Sequence, residues 1–385
     1  MLLGVVGAPN KGKSTFFSAA TAMEVAIANY PFTTINPNKG VTYARAKCPD
    51  KEFGTKCTPR VGKCIGGTRL VPINIVDVAG LVPGAHLGKG MGNQFLDDLR
   101  QANALIQVID ASGQTDLEGN PAQGCDPMKE VEFLEQEIDF WFEGVIKRNW
   151  QKVKGKGLEE LVVALSGLNA GKADIEKAAA QAQVSLEKLE WNDDEIFEFA
   201  TQLRRITKPI IVAANKADLP SAEKNIAELK GKLGKRVVAC SAIAELALRK
   251  AANAGAIEYF PGDSAFKVIA ADEKQRQGLD KISRIIQGGG SGVQTAVDQA
   301  VFDVLGLMPV YPVEDEKKLC DNFGRVLPDA LFVKKGTTAL ELAALVHTDL
   351  AKHFICAINA RTHMKVGKEH ALASGDIIRI VAGKA

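Results

Sequence analysis

The chain has 385 residues, enough for two or three domains at about 100 to 200 residues each, which excludes a peptide hormone or a lone small binding module. Hydrophobic residues make up 46% and charged residues 24%, the balance of an ordinary folded protein and not of a disordered one. The formal net charge of +2 conceals a segregation, because residues 122–207 sum to −6 and the remainder to +8, so two differently charged bodies are expected.

No stretch approaches the roughly 20 consecutive apolar residues needed to span a bilayer, and Met1 opens directly on a strand-like run without a cleavable leader pattern. A cytoplasmic protein with no membrane contact is expected. Met1 to Val6 reads as a strand and Phe16 to Ala20 as the start of a helix. The intervening Gly7-Ala-Pro-Asn-Lys-Gly-Lys-Ser14 fits Gly-x4-Gly-Lys-Ser. Such a loop lets backbone amides of Asn10, Lys11 and Gly12 converge on phosphate oxygens at a helix N-terminus, where unpaired N–H groups favour anions. Lys13 would reach the β and γ phosphates, and the Ser14 hydroxyl would bind magnesium. Thr15 would either donate to a phosphate or cap the helix.

Cys48, Cys57 and Cys64 are the only clustered members among seven cysteines, an odd and sparse count that argues against a disulfide framework. Three thiolates could hold zinc with a fourth ligand. Cys-x8-Cys-x6-Cys lacks the short Cys-x2-Cys of structural sites, however, and the spacing favours reduced, partly buried thiols. Pro72 to Val76 is the next strand-like run, and Asp77-Val-Ala-Gly80 follows it. Asp77 is placed to hold magnesium through water and the Gly80 amide to approach the γ-phosphate.

After a strand-like run at Ala104 to Ile109 the chain makes a long acidic detour. Val131, Leu134, Ile138, Trp141 and Val145 recur as one face of a long helix. Asn192 and Glu195 read as a capping box, with Trp191 and Ile196 as its staple, opening a helix to about Ile206. The detour is read as a helical insertion over 121–207. Lys147, Arg148, Lys152, Lys154 and Lys156, with Trp150 among them, form its one concentrated basic run. They suit either phosphate contact with base stacking or a solvated helix end.

Ile210 to Ala214 leads into Asn215-Lys216-Ala-Asp218, and Arg236 to Cys240 into Ser241-Ala242. A carboxylate at Asp218 can accept from both N1–H and the N2 amine of guanine, and adenine offers neither donor there. Gly288 to Gly292 reads as a connector before a helix to about Leu305. Pro309 and Pro312 then punctuate the way into a last module. In it, β-like runs near Ala330 to Val333, Phe354 to Ala357 and Ile377 to Val381 flank a helix at Ala339 to His353. Four of the five histidines fall in this module without metal spacing.

The order phosphate loop, Asp-x-x-Gly, Asn-Lys-x-Asp, Ser-Ala, each after a strand, together with Asn29 to Asn38, Asp77 to Ala85 and Gly88 to Phe95, resembles the Obg-related GTPases. The helical insertion and terminal module narrow the resemblance to the YchF branch, in its version that keeps Asn-Lys-x-Asp. The likeness implies a doubly wound α/β GTPase domain at 1–120 and 208–307, interrupted by the insertion. It also implies a TGS-like β-grasp domain at 308–385.

By the same likeness Thr34, not Thr33, is the switch threonine that closes on magnesium. Leu81 stands where other GTPases place a water-orienting glutamine, and His86 is a nearby candidate for that task or a surface residue. Asn10 matches the asparagine with which potassium-activated relatives ligate a cation, or it makes a hydrogen bond that stabilises the loop. The implied activity is magnesium-dependent GTP hydrolysis by Lys13, Thr34, Gly80 and Asn10, with potassium as a second cation. The implied partner is the ribosome or structured RNA, not DNA. The rival readings are a metabolic P-loop kinase, an ATP-using NTPase, and an RNA-binding adaptor that only holds nucleotide.

Overall fold

The computed structural model describes residues 1–22, 38–78, 80, 84 and 99–383. The aliphatic runs become strands β1 (Leu2–Val6), β2 (Lys39–Lys47), β3 (Lys63–Ile65), β4 (Thr68–Asp77), β5 (Ala104–Asp110), β6 (Ile210–Asn215) and β7 (Val237–Ala239). They form one sheet in the order β2-β4-β1-β5-β6-β7, with β3 antiparallel on β4. β1 lies parallel between β4 and β5, and β5, β6 and β7 follow in parallel. β5 and β6 are buried at every residue, as strands covered on both faces must be. The carboxyl ends of β1, β4, β6 and β7 release the four motifs at one edge of the sheet, where ligands of doubly wound folds sit. β4 starts at Thr68, four residues ahead of the expected run, because the Gly66-Gly67 turn lets β3 fold back on it.

Among the described residues, two compact units divide the chain: 1–22, 38–40 and 74–300 in the first, 41–73 and 301–383 in the second. In the first unit the acidic detour is mainly helical, with irregular chain at 121–126, 154–157 and 183–192. α1 (Lys13–Thr21) follows the phosphate loop, and α2 (Pro127–Val153), α3 (Leu158–Leu165), α4 (Lys172–Ala182) and α5 (Asp193–Thr207) form the insertion. Val131, Leu134, Ile138, Trp141 and Val145 are all buried on α2. The capping box is formed: Asn192 Oδ1 accepts from the Glu195 amide at 3.0 Å and Glu195 Oε2 from the Asn192 amide at 2.8 Å. A buried Arg204–Asp139 pair at 2.7 Å ties α5 to α2. Leu134, Ile138 and Phe142 share one core with Val6 and Leu105 of the sheet, so insertion and sheet are packed as a single body. α6 (Ala222–Leu233), α7 (Ala242–Asn253), α8 (Glu273–Ile286) and α9 (Val293–Gln299) complete the unit with the short hairpin β8 (Ile257–Glu258) and β9 (Lys267–Val268).

In the second unit, β10 (Leu307–Val313), β11 (Leu331–Lys334), β12 (Phe354–Asn359), β13 (Met364–Val366) and β14 (Ile377–Ala382) give a mixed sheet in the order β11-β10-β14-β12-β13. This is the small α+β, β-grasp module. Pro309 and Pro312 do not precede it but lie within β10, paired with Phe332 and Ile378. Pro309 takes part through its carbonyl, which accepts from the Gly375 amide at 2.7 Å. The expected helix from Ala339 to His353 is two helices, α10 (Ala339–Val346) and α11 (Thr348–Lys352). His347 breaks it by adopting an extended backbone, from which its Nδ1 accepts the Asp349 amide. Residues 41–73 share the second unit's core through Cys48 and Cys57, which pack with Tyr311 and Leu327. No helix among the described residues is long and apolar enough to cross a membrane.

Candidate nucleotide site

β1 ends at Val6 and α1 begins at Lys13, so the phosphate loop spans the gap between them. Gly12 caps α1 with φ +92° and no side-chain hydrogen bond, which leaves the first amides of the helix directed outward. Any Cβ on Gly12 would lie 2.3 Å from Asn215 Nδ2, so the close approach of the two loops requires glycine. Lys13 is buried and its ammonium donates to the Ala8 carbonyl at 2.9 Å. Burial lowers its pKa, and the Asp77 carboxylate opposes that shift. Gly80 sits against this amine: a Cβ there would come 3.2 Å from Lys13 Nζ.

Ser14 Oγ donates to Asp77 Oδ2 at 2.9 Å, so two of the three expected magnesium ligands meet across 63 residues of sequence. Burial raises the Asp77 pKa, opposed by the Ser14 hydrogen bond and the Lys13 charge. A hydroxyl and a carboxylate oxygen side by side are the hard donor set that magnesium takes, so the residues present fit that ion. Thr34, the third, lies outside the described residues, as do Thr33, Leu81 and His86.

Lys11 turns its side chain away from the loop. Its ammonium is wholly buried and donates to Glu130 Oε1, Thr115 Oγ1 and the Asp116 carbonyl, each at 2.7 Å, and to the Thr115 carbonyl at 3.2 Å. Burial pushes the Glu130 carboxyl up to about 7, and the Lys11 ammonium restrains the shift. Lys11 therefore offers a nucleotide its backbone alone. Asn10, with φ 59°, donates from Nδ2 to the Gly119 carbonyl at 3.0 Å, and its amide oxygen remains an acceptor. Thr15 lies in the first turn of α1.

On the base side, Asn215 is a strut. Its Nδ2 donates to the Lys11 carbonyl at 2.9 Å and its Oδ1 accepts from the Ala242 amide at 3.0 Å, so it joins the phosphate loop to the Ser-Ala loop. Lys216 pairs with the buried Asp110 at 2.7 Å. Ser241 caps α7 through the Ala244 amide. Asp218 Oδ1 is buried without a hydrogen-bond partner among the described residues. Asp218 lines a cavity of about 640 Å³ together with Ser241, Lys230, Gly290, Ser291 and Gly292. That volume is in the range of small-molecule sites.

Three comparisons with known proteins bear on this geometry. The model of Obg-like GTPases of the YGR210-like type, containing the G4 motif, matches residues 213–315. That of 50S ribosome-binding GTPases matches 2–138, and that of the TGS domain matches 323–382. An uncharacterised GTP-binding protein of Methanocaldococcus jannaschii is 48% identical over 99% of each chain. The chain belongs to the YchF branch of the Obg-related P-loop GTPases. A crystal structure of a GTP-binding protein from Pyrococcus horikoshii superposes with a TM-score of 0.80 at 40% identity, covering all of both chains. The ribosome-binding ATPase YchF of Bacillus subtilis is 27% identical over 97% of each chain.

Two features of this YchF-branch GTPase were not apparent from its motifs. Gly288 to Gly292, read as a connector, lines the base-side cavity. It is pinned there: the Ser291 carbonyl accepts from the Ser241 amide at 2.8 Å, and the Ser291 hydroxyl donates to buried Glu245, which also holds Arg249 and Tyr259. The glycine run was the available signal. The second feature is Trp150, which is not a stacking platform. It is 8% exposed and packs on Trp191 with ring centroids 5.3 Å apart, and Trp191 packs on Phe199 at 4.7 Å. Around it Arg148, Lys152, Lys154 and Lys156 are exposed at the C-terminal end of α2, and Lys147 pairs with Glu143.

Proposed function

We propose that this GTP-binding protein hydrolyses GTP to GDP and phosphate with magnesium and acts in the cytoplasm as a ribosome-associated switch. The observation that carries the choice of guanine is Asp218, which lines the cavity with Ser291 and Gly292 and whose Oδ1 has no hydrogen-bond partner among the described residues. A carboxylate so placed can accept from guanine N1–H and N2–H, one on each oxygen, and from neither position of adenine. Lys13, the Gly80 amide and the first amides of α1 would stabilise charge developing on the transferred phosphoryl group. Ser14 and Asp77, with Thr34, would hold magnesium, which supplies charge neutralisation across the β and γ phosphates. Asn10 Oδ1 would ligate potassium beside them. Ribosome association draws support from the B. subtilis relative, whose name records ribosome binding, and from the exposed basic end of α2.

ATP is the second reading, because that relative is named an ATPase. Single-turnover hydrolysis of GTP and ATP, each with and without ribosomes, tests both readings. Faster GTP turnover that ribosomes alter is expected. Equal turnover of ATP and GTP would remove the base assignment, and nucleotide binding without turnover in any mixture would leave only an adaptor.

A further inference from the structure

The second unit carries a side-chain cluster that no step of nucleotide chemistry uses. Cys48 leaves the end of β2, Asp50 sits in the turn Pro49–Lys51, Cys57 lies in irregular chain, and Cys64 is in β3. One ligand atom from each of the four lies within 4.8 Å of all the others. Cys48 Sγ and Cys57 Sγ are 3.7 Å apart, and Asp50 Oδ2 is 3.5 Å from both Cys57 Sγ and Cys64 Sγ. A tetrahedral zinc ion with Zn–S of about 2.3 Å and Zn–O of about 2.0 Å needs ligand edges of about 3.8 Å between sulfurs and about 3.5 Å between sulfur and oxygen. Three of the six edges, one between sulfurs and two between sulfur and oxygen, match those values, and the other three lie within 4.8 Å.

We propose that Cys48, Asp50, Cys57 and Cys64 bind one structural zinc ion. Four protein ligands close the site, as structural zinc sites are closed. Cys48, Asp50 and Cys57 are each less than a tenth exposed, and an apolar shell that includes Tyr311 and Leu327 surrounds the two thiols. The carboxylate is already oriented: its Oδ1 accepts from the Lys51 amide at 2.8 Å, which turns Oδ2 to the sulfurs. Such outer contacts are what fix a ligating carboxylate.

The mixture of three sulfurs and one oxygen selects among metals. A carboxylate suits zinc, which takes both sulfur and oxygen ligands, better than copper(I). Sulfurs 3.7 Å apart leave room for one ion and not for an iron–sulfur cluster, whose cysteines are spread over several irons. A disulfide would need its sulfurs at about 2.05 Å. The ion would also supply what this stretch lacks in regular structure, since residues 48–67 contain only a 3-10 turn and three residues of strand. On binding, each thiol releases its proton to solvent as its sulfur becomes a ligand.

The test uses the full chain. Elemental analysis of protein purified without added metal is expected to give one zinc per chain. After chelation, cobalt(II) should restore one equivalent with thiolate-to-cobalt charge transfer and the intense d–d bands of a tetrahedral site. Asp50→Asn should weaken zinc binding at least tenfold in competition with a chromophoric chelator, and Cys57→Ser should abolish the tetrahedral cobalt spectrum. Three results would each overturn the proposal. The first is wild-type protein that takes up cobalt only with the weak spectrum of an all-oxygen octahedral site. The second is zinc that fails to protect three of the seven thiols from a thiol reagent. The third is an intact mass two hydrogens light, marking a disulfide instead.

Discussion

A buried acceptor without a partner costs about 1 to 3 kcal/mol, and Asp218 Oδ1 keeps that cost in the folded chain. A bound guanine would present two donors to the carboxylate, one of them for this oxygen, so Asp218→Asn should lower GTP affinity roughly 10 to 150-fold. The same substitution presents a donor to the 2-oxo group of xanthine, so affinity for xanthosine triphosphate should rise. Titration of both nucleotides checks this, and an equal loss for the two would reduce Asp218 to a structural role. Asn215 differs in kind, since its amide joins the Lys11 carbonyl to the Ala242 amide. Asn215→Ala should therefore weaken both nucleotides alike. Asn10 holds Gly119 through Nδ2, and its amide oxygen would be the ligand of the proposed potassium ion. Potassium should accelerate GTP turnover over sodium at equal ionic strength, and Asn10→Ala should remove most of the difference. Equal initial rates in the two salts would count against a cation at this position.

At the scale of elements, motifs that act through backbone and spacing were legible, and packing that depends on distant segments was not. The phosphate loop, the strand ends at Asp77 and Asn215, the apolar face of α2 and the Asn192–Glu195 capping box all follow from local patterns, and each is present. Sequence spacing misled where tertiary partners decide. Trp150, lying among lysines, reads as a surface aromatic, but α5 and its preceding turn supply Trp191 and Phe199 to bury it. Asp50 has no place in a cysteine-spacing rule, and only the fold of 48–64 brings it to the thiols. Trp150 thus belongs to the core, apart from the exposed lysines at the end of α2. Trp150→Ala should destabilise the protein by about 3 to 5 kcal/mol in denaturant unfolding, as truncation of a buried aromatic does. Neutralising Lys152, Lys154 and Lys156 together should leave stability nearly unchanged. It should flatten the salt dependence of ribosome co-sedimentation, reducing the slope by about 0.7 to 0.9 for each lysine withdrawn from a phosphate. A triple variant that matches wild type at every salt concentration would return these lysines to the role of a solvated helix end.

At the scale of the molecule, all three tryptophans, Trp141, Trp150 and Trp191, lie in the helical insertion, so fluorescence excited selectively at tryptophan reports on the first unit alone. The insertion shares its core with β1 and β5, the strands beside the phosphate loop, through Leu134, Ile138 and Phe142 against Val6 and Leu105. Side chains packed in one core are expected to come apart together, so the insertion and the strands it packs on should share one cooperative transition. A ligand that binds only the folded nucleotide site must then stabilise the tryptophan environment as well, although no tryptophan lies in the phosphate loop or in the motifs on the base side. With GDP and magnesium at 100 times the dissociation constant, linkage supplies about 2.7 kcal/mol. For a unit of this size that raises the midpoint by about 5 to 10 °C. The fluorescence midpoint should climb with the logarithm of GDP concentration, and ADP at equal concentration should move it less. A tryptophan transition that stays fixed while GDP saturates its site would show that the insertion unfolds apart from the sheet, and the shared core would then not be cooperative.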